Sequence, residues 1–150
     1  MKKFELPRDL IFNNGKIADP AAFAKENHAA SWLYLNGPEF AAMEGGMSYA
    51  QVEQAVTRSA NVVSDPPRVL DLELAKRHVA ALDELPRPTL VTCRAGPRSS
   101  AVAYMYAGLR SGASPEEVIA EAERAGAPFT KSDEYKAWVV KTIEALRKDA

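Results

Sequence analysis

The stretch TLVTCRAGPRSSAVAYM, residues 89 to 105, constrains the fold more than any other part of the chain. Thr89 to Thr92 is a short apolar, β-branched run that reads as a buried strand. Gly96 and Pro97 then break the strand, and the residues from Arg98 onward fall into a helical pattern. A strand, a tight loop and a helix N-terminus in that order predict the βα turn of an α/β domain. The same loop carries Cys93, the one cysteine of the chain, with Arg94 and Arg98 close behind it.

The remaining pattern agrees with an α/β layer structure and contains no internal repeat. Arg8 to Ile17, RDLIFNNGKI, reads as an edge strand and turn, and Ser31 to Asn36 as a buried strand. Asp19 before Pro20 predicts an N-cap with proline at the first helical position. Ser48 to Gln51 has capping-box spacing, and Val52, Ala55, Val56 and Ser59 fall on one face, so a helix is expected to run to about Ala60. Asn61 to Asp65 is expected to be a strand closed by Pro66 and Pro67. A helix capped by Asp71 should end before Pro86 and Pro88. Three helices should then close the chain: one stopped by Gly112, one opened by a Ser114 to Glu117 capping box, and one with Tyr135, Trp138, Val139, Ile143 and Leu146 on a core-facing stripe.

Composition excludes several function classes. The formal net charge is −1, with basic and acidic residues interspersed, so neither a nucleic-acid backbone nor a membrane surface finds a basic patch. No window approaches a membrane-spanning apolar run, and a cytoplasmic location is expected. One cysteine allows no internal disulfide, and His28 and His78 stand apart from any zinc-ligand spacing, so both read as surface residues and no metal or organic cofactor is expected. A chain of 150 residues is long enough for a single core, and residues 1–150 are read as one domain.

The chemistry is expected at Cys93. The thiolate is the nucleophile, and neutral-pH reactivity requires that anion to be stabilised. Backbone N–H groups curling round a strand end, a following helix N-terminus and the charges of Arg94 and Arg98 all serve that purpose. Gly96 permits the curl, whereas Pro97 removes one amide from the cradle. Ser99 and Ser100 offer hydroxyls. The loop is therefore read as an anion-binding cradle formed by Arg94, Ala95, Gly96, Pro97 and Ser99, with Cys93 and Arg98 as catalytic residues.

CRAGPRS resembles the active-site loop of the rhodaneses, in which a cysteine carries sulfur as a persulfide and an arginine ends the loop. The three-helix tail, RSSAVAYMYAGLRSGASPEEVIAEAERAG, resembles the dual-specificity protein tyrosine phosphatases instead. Both features together resemble the phosphatase-like domain of the β-lactamase-hydrolase-like proteins, a bacterial family also described as sulfur transferases. The resemblance implies a protein-tyrosine-phosphatase-like fold: a mainly parallel central sheet flanked by helices, with a three-helix C-terminal part. It also implies a metallo-β-lactamase-like hydrolase as partner.

Spacing ranks the reactions. Phosphatases of this fold place five residues between cysteine and arginine, and this chain places four, Arg94 to Pro97; Ser99 stands where a phosphatase arginine would. A shorter cradle suits one extra sulfur atom, so the first expectation is a sulfurtransferase carrying a persulfide on Cys93 and fed by a small anionic sulfur donor. The alternative is a phosphomonoester phosphatase working through a cysteinyl-phosphate, with Asp65 as general acid. A non-catalytic module that binds an anion or a partner is the third.

Overall fold

A computed structural model describes residues 4–43, 46–65 and 71–148. Four strands form one sheet: β1 (Leu10–Phe12), β2 (Ser31–Asn36), β3 (Arg58–Asp65) and β4 (Thr89–Thr92), in the order β1-β4-β2-β3 with every pairing parallel. Among the described residues six α-helices join and follow the strands: α1 (Pro20–Glu26), α2 (Tyr49–Ala55), α3 (Leu72–Glu84), α4 (Pro97–Ser111), α5 (Pro115–Ala125) and α6 (Asp133–Lys148).

The strand order explains which face each helix covers. From β1 to β2 to β3 the chain moves one way across the sheet, and from β3 back to β4 it moves the other way. Parallel crossovers are right-handed, so a reversal of direction transfers the connection to the opposite face. Accordingly α1 and α2 pack with Trp32, Tyr34 and Leu90 on one face, while α3 to α6 pack with Leu33, Leu35, Val91 and Cys93 on the other. Alternate residues of β2 and β4 thus serve two cores, as the two-residue repeat of a strand dictates. The reversal falls between β2 and β4, and α/β sheets bind ligands outside the carboxyl ends of their strands at such a point.

The local signals behave as their chemistry requires. Asp19, Ser48, Asp71 and Ser114 each cap a helix by accepting a backbone N–H, and Ser48 and Ser114 close full capping boxes. Two expectations are corrected. Helix α2 ends at Ala55, because Val56 is already extended and the chain needs residues from Arg58 onward to pair with the whole of β2, beginning with Ser31 opposite Arg58. His78 is fully buried on α3 rather than at the surface, whereas His28 is exposed. The expected loop at Pro66 and Pro67 lies outside the described residues. No described helix is long and apolar enough to cross a membrane.

Candidate active site

Cys93 is the first residue beyond β4 and is 1% exposed. The strand end beneath it is fixed from both sides. Thr92, immediately before it, accepts a hydrogen bond from Trp32 Nε1 at 2.8 Å, which satisfies the indole N–H in the core. On the other side, β1 runs out at Phe12, and the Asn13 carboxamide continues the ladder in place of backbone. Its Oδ1 accepts from the Cys93 N–H at 3.1 Å, and its Nδ2 donates to the Cys93 carbonyl at 2.9 Å. Gly15 N donates to Ala95 O at 2.7 Å, a second clamp between the segment after β1 and the loop.

The loop closes on the sulfur. Gly96 N and Ser99 N donate to Cys93 Sγ at 3.2 and 3.3 Å. Two amides aimed at one sulfur at a helix N-terminus are an arrangement that can hold an anion. The Ser99 hydroxyl is 3.5 Å from Sγ and 2.7 Å from Asn13 Oδ1. Gly96 adopts φ 119°, and a Cβ there would lie 2.5 Å from Asn13 O and 3.1 Å from the Pro128 side chain. Glycine is therefore required twice over, by backbone conformation and by space. Pro97 begins α4, where its missing N–H leaves no helical bond unmade. Ser100 turns away from the sulfur, its hydroxyl donating to Pro97 O and accepting from Phe129 N at 3.1 Å. This ties the short 3-10 turn Pro128–Lys131 to the start of α4.

The two arginines occupy different environments. Arg94 is half-buried beside the nucleophile. Arg98 is fully buried, its guanidinium carbon over the Tyr135 ring of α6 at 5.5 Å from the ring centre, a cation–π contact. Next to it lies His78, whose Nε2 is 3.3 Å from the Ser64 hydroxyl and whose ring meets Trp138 edge-on at 6.2 Å between centroids. Burial, and then the charges of Arg98 and Arg77, push the His78 imidazole down to about 3. It is neutral at physiological pH, so no second positive charge opposes Arg98. Ser64 precedes Asp65, the last residue of β3, which pairs with Asn36 of β2. The Asp65 backbone therefore ends at the same edge of the sheet as Cys93, two strand spacings away, or about 10 Å. Its side chain lies outside the described residues.

The structure places Cys93, Arg94, Ala95 and Gly96 in the loop and Pro97, Arg98 and Ser99 in the first turn of α4; Gly96 and Ser99 reach the sulfur, while the Arg98 guanidinium lies on the Tyr135 ring of α6. It adds two residues that sequence reasoning missed. Asn13 sits in an Asn-Asn-Gly turn, and its contact with Cys93 spans 80 residues of chain, so no local pattern announces it. His78 lies at helical spacing between Leu74, Ala75 and Leu82, which are all buried, and that stripe was the signal for a buried histidine. Tyr135 is a core residue, as its stripe predicts, and also the platform for Arg98. Among the described residues no cluster of histidine, cysteine and carboxylates could hold a metal ion.

The sequence matches no protein-family model and no curated protein. Solved structures do match. Tk-PTP, in a single-residue mutant form, superposes with TM-score 0.71 at 16% identity, covering 93% of this chain and 92% of its own. A candidate phosphatase from Neisseria meningitidis gives TM-score 0.68 at 16% identity over 95% of this chain and 99% of its own. PTPMT1 in complex with PI(5)P gives 0.64 at 12% identity over 97% of each chain. The fold is that of the protein tyrosine phosphatases. At 12–16% identity the likeness is one of architecture.

Proposed function

We propose that this chain is a cysteine-dependent phosphomonoester hydrolase. The observation that carries the reading is Cys93 Sγ at the N-terminus of α4, beyond the carboxyl end of a parallel strand, with the amides of Gly96 and Ser99 pointed at it. The phosphatase-like neighbours support it over sulfur transfer, and the complex of PTPMT1 with PI(5)P supports a phosphoester as substrate. In this reading the Cys93 thiolate attacks phosphorus: an S–P bond forms, the ester P–O bond breaks, and the leaving oxygen takes a proton from Asp65. Water then attacks the cysteinyl-phosphate, its proton passing to the Asp65 carboxylate as the S–P bond breaks. Loop amides and the charges of Arg98 and Arg94 offset the charge that builds on the phosphoryl oxygens.

Persulfide transfer is the second reading, and one observation favours it. Only four residues separate Cys93 from Arg98, one of them is Pro97, which has no N–H, and two amides are already engaged by the sulfur itself. A cradle that small fits one added sulfur atom on Cys93, delivered by an anionic donor such as thiosulfate. Membership of the β-lactamase-hydrolase-like group, with a hydrolase partner, belongs to this second reading. Parallel turnover of p-nitrophenyl phosphate and of thiosulfate plus cyanide by one preparation separates the two. The first reading expects phosphate-ester turnover that is lost in Cys93→Ser. Cyanide-dependent turnover alone would replace it with the second, and neither activity would leave an anion- or partner-binding module.

A further inference from the structure

The proton of the Ser99 hydroxyl has two oxygen acceptors within reach, Asn13 Oδ1 at 2.7 Å and Gly96 O at 3.2 Å, while the Cys93 thiol donates to the hydroxyl oxygen at 3.5 Å. A serine hydroxyl has one hydrogen to give. With that hydrogen on Asn13, Ser99 faces the sulfur with a lone pair and accepts from the thiol, which stabilises the protonated sulfur. The amides of Gly96 and Ser99 act in the opposite sense, toward the anion. Asn13 is built to hold the hydroxyl there: it is 2% exposed, and its Nδ2 is fixed by Cys93 O and Gly15 O, which orients Oδ1 toward both Cys93 N and Ser99.

We propose that Asn13 is a positioning residue that acts on the nucleophile through Ser99, holding the hydroxyl proton away from the sulfur in the resting thiol and releasing it when the thiol ionises. On ionisation the Sγ proton leaves to solvent or base, the Ser99 O–H turns from Asn13 Oδ1 to Sγ, and Oδ1 keeps its bond from the Cys93 N–H. No buried group is left without a partner in either state, so the rotor moves between two satisfied arrangements. The inference rests on Cys93 being the nucleophile of the proposed reaction, but it makes a claim about the thiol alone.

The lone cysteine makes the test direct, because the rate of iodoacetamide alkylation reports a single site. Asn13→Leu, a near-isostere, removes the Ser99 bond, made only in the thiol form, together with the bonds to Cys93 N, Cys93 O and Gly15 O, made in both forms; the first alone changes the balance between them, and alkylation at neutral pH should become about fivefold faster, the worth of one net hydrogen bond. In a Ser99→Ala background the same substitution should change the rate by less than about twofold, since its intermediary is gone. An equal acceleration in both backgrounds would mean general loosening around a buried thiol and would overturn the proposal, as would an unchanged or slower rate with Ser99 present. Should Asn13→Leu fail to fold, Asn13→Ser, whose hydroxyl stops short of Ser99, carries the same expected sign. Phosphate-ester turnover is measured separately, so loss of the phosphatase reading leaves this result interpretable.

Discussion

Gly96→Ala tests the loop geometry at the position with the least freedom. The native φ of 119° lies in a region that residues with a Cβ adopt at a cost of about 1–3 kcal/mol. The added Cβ meets Asn13 O at 2.5 Å and the Pro128 side chain at 3.1 Å. The nearer neighbour is backbone, clamped through Asn13 and Gly15, so relief requires the loop to move away from the β1 turn; such overpacking costs about 1–3 kcal/mol. The Gly15 N to Ala95 O bond goes with that movement, at about 1 kcal/mol. The unfolded chain loses some freedom, which returns about 0.4–1 kcal/mol. The net expectation is a loss of about 2–7 kcal/mol, and for a chain of this size a fall in Tm of about 6–20 °C. Thermal unfolding followed by circular dichroism measures it, and Cys93 alkylation on the folded variant reports whether Gly96 N still reaches the sulfur. A fall of under about 3 °C with unchanged alkylation would show that the loop does not need the conformation described.

Three further outcomes are expected. His78 takes its proton only near about 3 when folded and near 6.5 when unfolded, so between those values the unfolded state binds more protons and stability falls as pH falls, by up to about 1.4 kcal/mol per pH unit; urea melts of wild type and His78→Phe should converge toward equal acid sensitivity only if this residue is not the cause. Arg98→Lys replaces a planar guanidinium by a buried ammonium and should lower both Tm and turnover, whereas half-buried Arg94→Lys should leave Tm within about 2 °C. Inserting one glycine between Gly96 and Pro97 restores five residues before the arginine and should tighten vanadate binding in a variant that keeps its thermal transition; unchanged affinity would mean that loop length does not set the size of the anion.

Much of the fold was legible because its signals are local. Asp19, Ser48, Asp71 and Ser114 start helices by bonds made within three residues, and Gly112 ends α4 through its own positive φ. The buried runs Ser31 to Asn36 and Thr89 to Thr92 show their strand character without reference to partners. The end of α2 was not legible, because the helical stripe through Val56 and Ser59 is overridden by pairing of β3 with β2, a contact between distant segments. At the site, Cys93, Gly96 and Ser99 could be named from their order alone. Asn13 could not, since its place beside Cys93 is set by the parallel register of β1 on β4. The burial of Arg98 was equally hidden: its platform, Tyr135, comes from a helix 37 positions later in the chain. Spacing alone favoured sulfur transfer, and the solved structures that match show the fold around the loop.

The measurement closest to the central claim is the mass of the protein quenched in acid during turnover of p-nitrophenyl phosphate. A phosphoryl group on the peptide that contains Cys93, acid-stable enough to be mapped and lost in Cys93→Ala, is the predicted result. Steady turnover with Cys93 unmodified, or with Cys93→Ala still active, would contradict it.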